Sequence, residues 1–196
     1  TIRDLEKAFS DITGHDYAIA FRYGRSGLYY LLKALKEKRG GQYVVMPSYS
    51  CVVVAHAIKK AGYDPLFLDN EPNLFQPSPQ QYKDMIDQHG EKIAMVIPTH
   101  LFGITEETKD LYTYVKDKYP SVFILQDCAH GFFCKDNHGD ITTRYGDGAI
   151  FGMNISKLAN SVKGGMITLR DSDTARHIRD LHKKEYHQTK VPSLFI

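Results

Sequence analysis

The chain has 196 residues, 42% hydrophobic and 24% charged, which is the balance of a folded globular protein and excludes a disordered or fibrous one. Its 25 basic and 23 acidic residues leave a formal charge of +2 and are spread along the chain, so no basic face marks a nucleic-acid partner. No run reaches the roughly 18 apolar residues of a membrane span, and the opening Thr1-Ile2-Arg3-Asp4 has no apolar signal core, which predicts a cytoplasmic protein built around one core.

In chain order, apolar periodicity and bounding turn residues predict helix 2–13, strand 17–21, helix 26–39, strand 43–46, helix 51–61, strand 65–68 and helix 78–89. They go on to predict strand 93–98, helix 105–118, strand 122–126, strands 148–152 and 165–169, and helix 172–186. Helix 26–39 shows Leu28, Leu31, Leu32 and Leu35 as one stripe, with Lys33, Lys36, Lys38 and Arg39 expected at its solvated carboxyl end. Tyr43-Val44-Val45-Met46 and Ile93-Ala94-Met95-Val96-Ile97 are continuously apolar, as strands are when helices cover both faces of a sheet. The class is therefore α/β: three layers, α/β/α, around a mostly parallel central sheet. The Pro- and Asn-rich segment 69–77 reads as a surface loop. The chain starts without methionine, and its last residues, through Val191-Pro192-Ser193-Leu194-Phe195-Ile196, stop without a turn or cap, so both ends look cut.

Three cysteines at irregular spacing, Cys51, Cys128 and Cys134, suit reduced thiols better than a disulfide framework. Cys128-x-His130 followed by Cys134 lacks a fourth ligand and a paired spacing, so no metal site is expected.

Ligands of open α/β sheets bind beyond the carboxyl ends of strands, which directs attention to the residues just after each one. Tyr23-Gly24-Arg25-Ser26-Gly27 opens helix 26–39, where small residues let a phosphate approach free N–H groups; an ordinary turn with Ser26 as the N-cap fits equally. Gln126-Asp127-Cys128-Ala129-His130 places a carboxylate at a strand end, able to pair with a protonated ring nitrogen or simply to cap the next turn. Lys157 lies in the small, partly apolar connection after strand 148–152, where loss of solvent favours the free amine needed to form an imine.

Taken together, these segments resemble the DegT/DnrJ/StrS family of pyridoxal-phosphate-dependent (PLP-dependent) sugar aminotransferases, which have the aspartate-aminotransferase fold (fold type I). The resemblance is carried by Gly24-Arg25-Ser26-Gly27-Leu28, by Val45-Met46-Pro47-Ser48-Tyr49-Ser50-Cys51 and by Ala61-Gly62-Tyr63-Asp64-Pro65-Leu66-Phe67-Leu68-Asp69. It continues through Ile97-Pro98-Thr99-His100-Leu101-Phe102-Gly103, Asp127-Cys128-Ala129-His130, and Phe151-Gly152-Met153-Asn154-Ile155-Ser156-Lys157 with Gly164-Gly165 downstream. It implies that Lys157 forms the internal aldimine and shuttles the proton, that Asp127 holds the pyridine nitrogen and that His130 lies near the phenolic oxygen. Arg25 and Ser26 then match the pair whose backbone N–H groups hold the phosphate. Lys163 is the competitor for the aldimine, disfavoured by the family spacing to the glycine pair. Two positions depart from the pattern. The stacking aromatic falls at Cys51, with Tyr49 as a displaced neighbour, and the phosphate-binding serine falls at Gly152.

The resemblance further implies a nucleotide-linked keto sugar as acceptor, an amino acid, glutamate, as donor, and a homodimer in the full-length protein. Family members are about twice as long, so residues 1–196 are expected to be the cofactor-binding large domain, with a second, small domain absent. The rival from another class is a non-catalytic remnant acting as a binding module. A nucleotide-binding Rossmann domain is a weaker third, because the turn at 23–27 lacks the third glycine of that fingerprint.

Overall fold

The computed structural model describes residues 1–188; the closing segment through Val191–Ile196, with the cut end expected there, lies outside the described residues. Its strands are β1 (Tyr17–Phe21), β2 (Tyr43–Pro47), β3 (Asp64–Leu68), β4 (Ile93–Val96), β5 (Phe123–Asp127), β6 (Gly148–Gly152) and β7 (Gly165–Leu169). The helices are α1 (Ile2–Thr13), α2 (Gly24–Arg39), α3 (Val52–Lys60), α4 (Pro79–His89), α5 (Lys109–Lys118) and α6 (Ser172–Gln188). The strands make one sheet in the order β1-β7-β6-β5-β4-β2-β3. From β3 to β6 every pairing is parallel, whereas β7 runs antiparallel to both of its neighbours.

Successive strand residues face opposite sides of a sheet, and here they divide between two apolar layers. On one side Leu28, Leu31, Leu32 and Leu35 of α2, Ile58 of α3 and Ile178 of α6 pack with Val44, Met46, Leu125, Ile150 and Ile167. On the other side Tyr82 and Ile86 of α4 and Leu111 and Val115 of α5 pack on Val45, Val96 and Ile124. Phe9 of α1 extends that second layer over Ala149, Phe151 and Met166. The three-layer α/β/α arrangement read from periodicity is the observed one.

Helix ends follow local chemistry where the sequence supplies it. Thr1 with Asp4, and Ser78 with Gln81, form reciprocal capping boxes at α1 and α4, and Pro79 stands at the first position of α4. Two expectations need correction. α2 begins at Gly24 instead of residue 26, with Tyr23 and not Ser26 at the N-cap, and no side chain caps it. Gly24 and Gly27 explain this, since both lie where the helix meets the sheet: a Cβ on Gly27 would fall 2.6 Å from Ile167 Cγ1, and one on Gly24 would fall 3.1 Å from the Phe151 carbonyl oxygen. The second correction is α5, which begins at Lys109 and not at 105, because residues 104–108 are drawn into a buried polar cluster described below.

The basic residues at the end of α2 do not form a free cationic face. Lys36 donates to the Gly41 and Gly62 carbonyls at 2.9 and 3.1 Å, Lys38 pairs with Asp171 at 3.1 Å, and Lys33 pairs with Glu185. Among the described residues no helix is long and apolar enough to cross a membrane.

The tightest backbone approach is at Gly165, where a Cβ would lie 2.1 Å from the Gly24 nitrogen. Gly165→Ala is therefore expected to lower the unfolding free energy by about 3 kcal/mol in urea melts, through overpacking against main chain that cannot swing aside. Gly14→Ala, at a left-handed position with open space around it, serves as the contrast and should cost only about 1 kcal/mol.

Candidate active site

The segments leaving the parallel strands β2, β4, β5 and β6 turn outward around a single cavity of about 280 Å³. Asp127, Ala129 and His130 come from the end of β5, Lys157 from beyond β6, Tyr49, Ser50 and Cys51 from beyond β2, and Thr99, Leu101 and Phe102 from beyond β4. This is the position at which open α/β sheets hold ligands.

Asp127 is the last residue of β5 and only 6% exposed. Its main chain is held from both sides: its N–H donates to the Pro98 carbonyl at 2.8 Å, and its carbonyl accepts from His100 N–H at 3.1 Å. The next N–H, of Cys128, donates to the Ile150 carbonyl of β6 at 2.9 Å. Oδ1 accepts from Ala129 N–H at 3.0 Å, so the carboxylate caps the turn while it lines the cavity. Burial pushes the Asp127 carboxyl above its ordinary range, opposed by that N–H and by the Lys157 charge.

Lys157 is carried by the loop 153–164, which is pinched shut at its base. Met153 N–H donates to the Gly164 carbonyl at 2.9 Å and Ser161 N–H to the Met153 carbonyl at 3.0 Å. Inside the loop Asn154 Oδ1 accepts from Ser156 N–H at 3.1 Å, and Lys157 N–H donates to the Asn154 carbonyl at 3.0 Å, making a short turn that delivers the lysine inward. Burial lowers the Lys157 ammonium below its usual range, and the charges of Asp127 and Cys51 oppose the fall. The alternative amine, Lys163, is exposed and does not line the cavity.

His130 is half-buried against the Phe102 ring, with centroids 5.7 Å apart, and burial followed by the Lys157 charge lowers its imidazole. Phe102 in turn meets Phe75 edge-on at 5.2 Å, and Phe75 stacks on Tyr49 at 6.1 Å. Aromatic rings thus rim the mouth of the cavity. Cys51 is the exposed N-cap residue of α3, and its neighbour Tyr49 is more than half exposed. Gly152 touches Lys157: a Cβ there would lie 3.5 Å from Lys157 Cε and 3.5 Å from Ala129 Cβ, ordinary contact distances.

Arg25 and Ser26 stand apart from the cavity lining. Arg25 is exposed with its guanidinium 4.3 Å from the centre of the Tyr23 ring, and Ser26 N–H donates to the Tyr23 carbonyl at 3.1 Å. What joins them to the site is Gly24, whose Cβ position would be 3.6 Å from Gly152 Cα, so the uncapped start of α2 abuts the residue that touches Lys157. The other cysteines have separate surroundings. Cys128 is buried beside Thr142 Oγ1 at 3.7 Å, and Cys134 contacts the Gly103 carbonyl at 3.4 Å. Among the described residues no group of three or more His, Cys, Asp or Glu side chains is arranged to hold a metal ion.

Sequence reading passed over Thr99, Leu101 and Phe102 as individual site residues. Their signals were position, immediately after the apolar run Ile93–Ile97, and membership of the segment Ile97–Gly103 that carries the family resemblance. Phe102 also adopts a left-handed backbone at φ 56°, which no residue pattern near it announces.

The sequence profile of the DegT/DnrJ/EryC1/StrS aminotransferase family matches residues 1–192. GDP-perosamine synthase of Caulobacter vibrioides is 27% identical over 178 residues, which cover 91% of this chain and 46% of that enzyme. The crystal structure of DesI in the presence of its TDP-sugar product superposes with a TM-score of 0.79 at 26% identity, covering 92% of this chain and 44% of that one. NtdA from Bacillus subtilis with bound cofactor PMP superposes with a TM-score of 0.75 at 21% identity, a likeness of fold, covering 90% of this chain and 38% of that one. The chain spans about half the length of the curated relatives it matches.

A lysine whose ammonium is disfavoured by burial holds more free amine near neutrality than a solvated one. Limited reaction with trinitrobenzenesulfonate at pH 8, followed by peptide mass mapping, is accordingly expected to modify Lys157 ahead of the exposed Lys163. Preferential modification of Lys163 would contradict the placement of the two amines.

Proposed function

Because the chain belongs to the DegT/DnrJ/EryC1/StrS aminotransferase family, we propose that residues 1–196 are the cofactor-binding large domain of a pyridoxal-phosphate-dependent sugar aminotransferase. The observation that carries this reading is the convergence, on one cavity, of a partly buried lysine, a buried strand-end carboxylate and a half-buried histidine. That donor set suits the group. An amine is present for its carbonyl, an acid for its ring nitrogen, and an uncapped helix start beside Gly152 for its phosphate. Bound there, pyridoxal phosphate would supply an electron-accepting ring able to stabilise negative charge on a substrate carbon.

The residues divide the remaining work. Lys157 would hold the cofactor through Nζ and, when its amine is free, would be the base that takes the proton from the substrate carbon and gives it back. Asp127 would pair with the protonated ring nitrogen and hold its proton there, its direction fixed by Ala129 N–H and by the hold on its main chain. His130, beside Phe102, would be the group nearest the ring's phenolic oxygen. The uncapped start of α2, with Arg25 near it, would offer the phosphate the positive end of the helix dipole. Cys51 takes the place of a stacking aromatic, so more of the ring's hold falls on Asp127 and the helix start.

For substrates, we assign a nucleotide-linked keto sugar as acceptor and glutamate as amino donor; the names of GDP-perosamine synthase and of DesI with its TDP-sugar product support the sugar-nucleotide class. The exposed Tyr49 and Phe102 at the mouth suit a site closed by further protein, and we assign that closure to a small domain beyond these residues and to a second subunit.

Adding pyridoxal phosphate to the chain should give visible absorbance and, after borohydride, a stable adduct on Lys157 by peptide mass; Lys157→Ala should give neither. An adduct on Lys163, or an equal adduct in Lys157→Ala, would overturn the assignment. Gly152→Ser, for which the Cβ has room, is expected to fold like the parent and bind the cofactor about tenfold more tightly, the worth of one hydrogen bond to a charged group. Titration of the absorbance at fixed pH measures it.

A further inference from the structure

Behind the floor of the cavity lies a buried acid that the chemistry above does not use. Glu106 is 6% exposed, in the irregular segment between Gly103 and α5. Its Oε1 accepts from Thr99 N–H at 2.9 Å and from the Tyr82 hydroxyl at 3.5 Å, and its own N–H donates to His100 Nδ1 at 3.1 Å. With Nδ1 acting as acceptor, the neutral His100 ring carries its proton on Nε2 and donates it to Gln126 Oε1 at 2.9 Å; Gln126 in turn donates to the Tyr145 carbonyl at 2.6 Å. Pro98 and His100, on either side of Thr99, are the residues whose main chains hold Asp127. Thr99 pairs with it as a parallel bridge and lines the cavity, and His100 N–H donates to its carbonyl.

The titratable groups around Glu106 are Asp127 on β5, Tyr82 on α4 and His100 on the segment after β4. None brings a positive charge at neutral pH, since burial pushes the His100 imidazole down to about 4 and Tyr82 well above its ordinary value. Burial pushes the Glu106 carboxyl up to about 8, opposed by the Thr99 and Tyr82 hydrogen bonds and reinforced by the Asp127 charge. Near pH 7 Glu106 therefore keeps its proton.

We propose that Glu106 is a positioning residue for Asp127: it locks the Thr99–His100 segment onto the Asp127 backbone, and its charge state is coupled to the cation that Asp127 holds. A protonated ring nitrogen against Asp127 cancels the repulsion that Glu106 feels, so cofactor binding promotes loss of the Glu106 proton. By reciprocity, loss of that proton strengthens the hold on the ring. This second half rests on the reading of the cavity as a cofactor site; the first half does not.

The cofactor-free chain tests the coupling directly, by carbon-13 NMR of the Glu106 carboxyl and hydrogen exchange at the Thr99 amide. Glu106 should titrate near pH 8, and Asp127→Asn, which removes the repelling charge, should move the midpoint down. Glu106→Ala should speed exchange at Thr99 about tenfold while leaving α2 amides unchanged, and Glu106→Gln, which keeps an acceptor oxygen, should restore protection. A midpoint unmoved by Asp127→Asn, or Thr99 exchange equal in Glu106→Ala and the parent, overturns the proposal. If Glu106→Ala does not fold, the Asp127→Asn titration and Thr99 exchange in Glu106→Gln decide. With pyridoxal phosphate, affinity should climb more steeply between pH 7 and pH 9 in the parent than in Glu106→Gln, and equal slopes overturn the electrostatic half. A parent chain that takes up no cofactor overturns the reading of the cavity instead, and the cofactor-free titration still judges Glu106.

Discussion

The contact on which the cavity depends is one of bare backbone. α2 can start where it does only because Gly24 and Gly165 let two main chains approach more closely than any side chain permits, and because Gly27 clears the path for Phe21 and Ile167. This contact sets the start of α2 against Gly152, the end of β6, and fixes how far the loop carrying Lys157 lies from the start of the helix. Leu28, Leu31, Leu32 and Leu35 then hold the helix in that position from below. The apolar stripe supplies the energy, and the glycines decide where it is applied.

Much of this was legible in the residues. The leucine stripe of α2 and the alternation of Val44, Val45 and Met46 between two layers follow from side-chain spacing alone, which is why layer order and helix positions were readable. Asp127 and Lys157 were legible for another reason: one ends a strand and the other lies in the loop that leaves one, and topology gives strand ends a chemical meaning. What could not be read depended on contacts distant in sequence. The start of α5 is one case, because residues 105–108 have ordinary helical potential until Glu106 is taken by Thr99 and His100. The start of α2 is another, since Ser26 is a good capping residue by type and is displaced from that role by the closeness of Gly24 to β6. The aromatic rim is a third. Phe75 lies in what reads as a polar surface loop, and only the fold brings it between Tyr49 and Phe102.

The electrostatic character of the site follows from unequal burial. Asp127 and Glu106 are both enclosed and both disfavour ionisation, and each accepts from one backbone N–H, but Asp127 has the Lys157 ammonium nearby while Glu106 has neutral donors only. Lys157 is subject to the opposite pressure: burial favours its free amine, and the neighbouring carboxylate limits how far that goes. The site is thus poised between attraction and desolvation.

The placement of β7 bears on how the molecule is made. β1 is an edge strand that pairs with β7 alone, Tyr17 against Leu169 and Phe21 against Gly165, so an early-synthesised strand has no partner until a late one emerges. The parallel set from β2 to β6 can assemble in chain order before that, because each of its crossovers is complete once the next strand is made. Insertion of β7 between β6 and β1 is consequently the step that brings Gly165 against Gly24 and seats the start of α2. A nascent chain that has not yet placed its seventh strand has the Asp127 side of the cleft formed, but the start of α2 comes to rest beside Gly152 only with the last, most non-local pairing of the sheet.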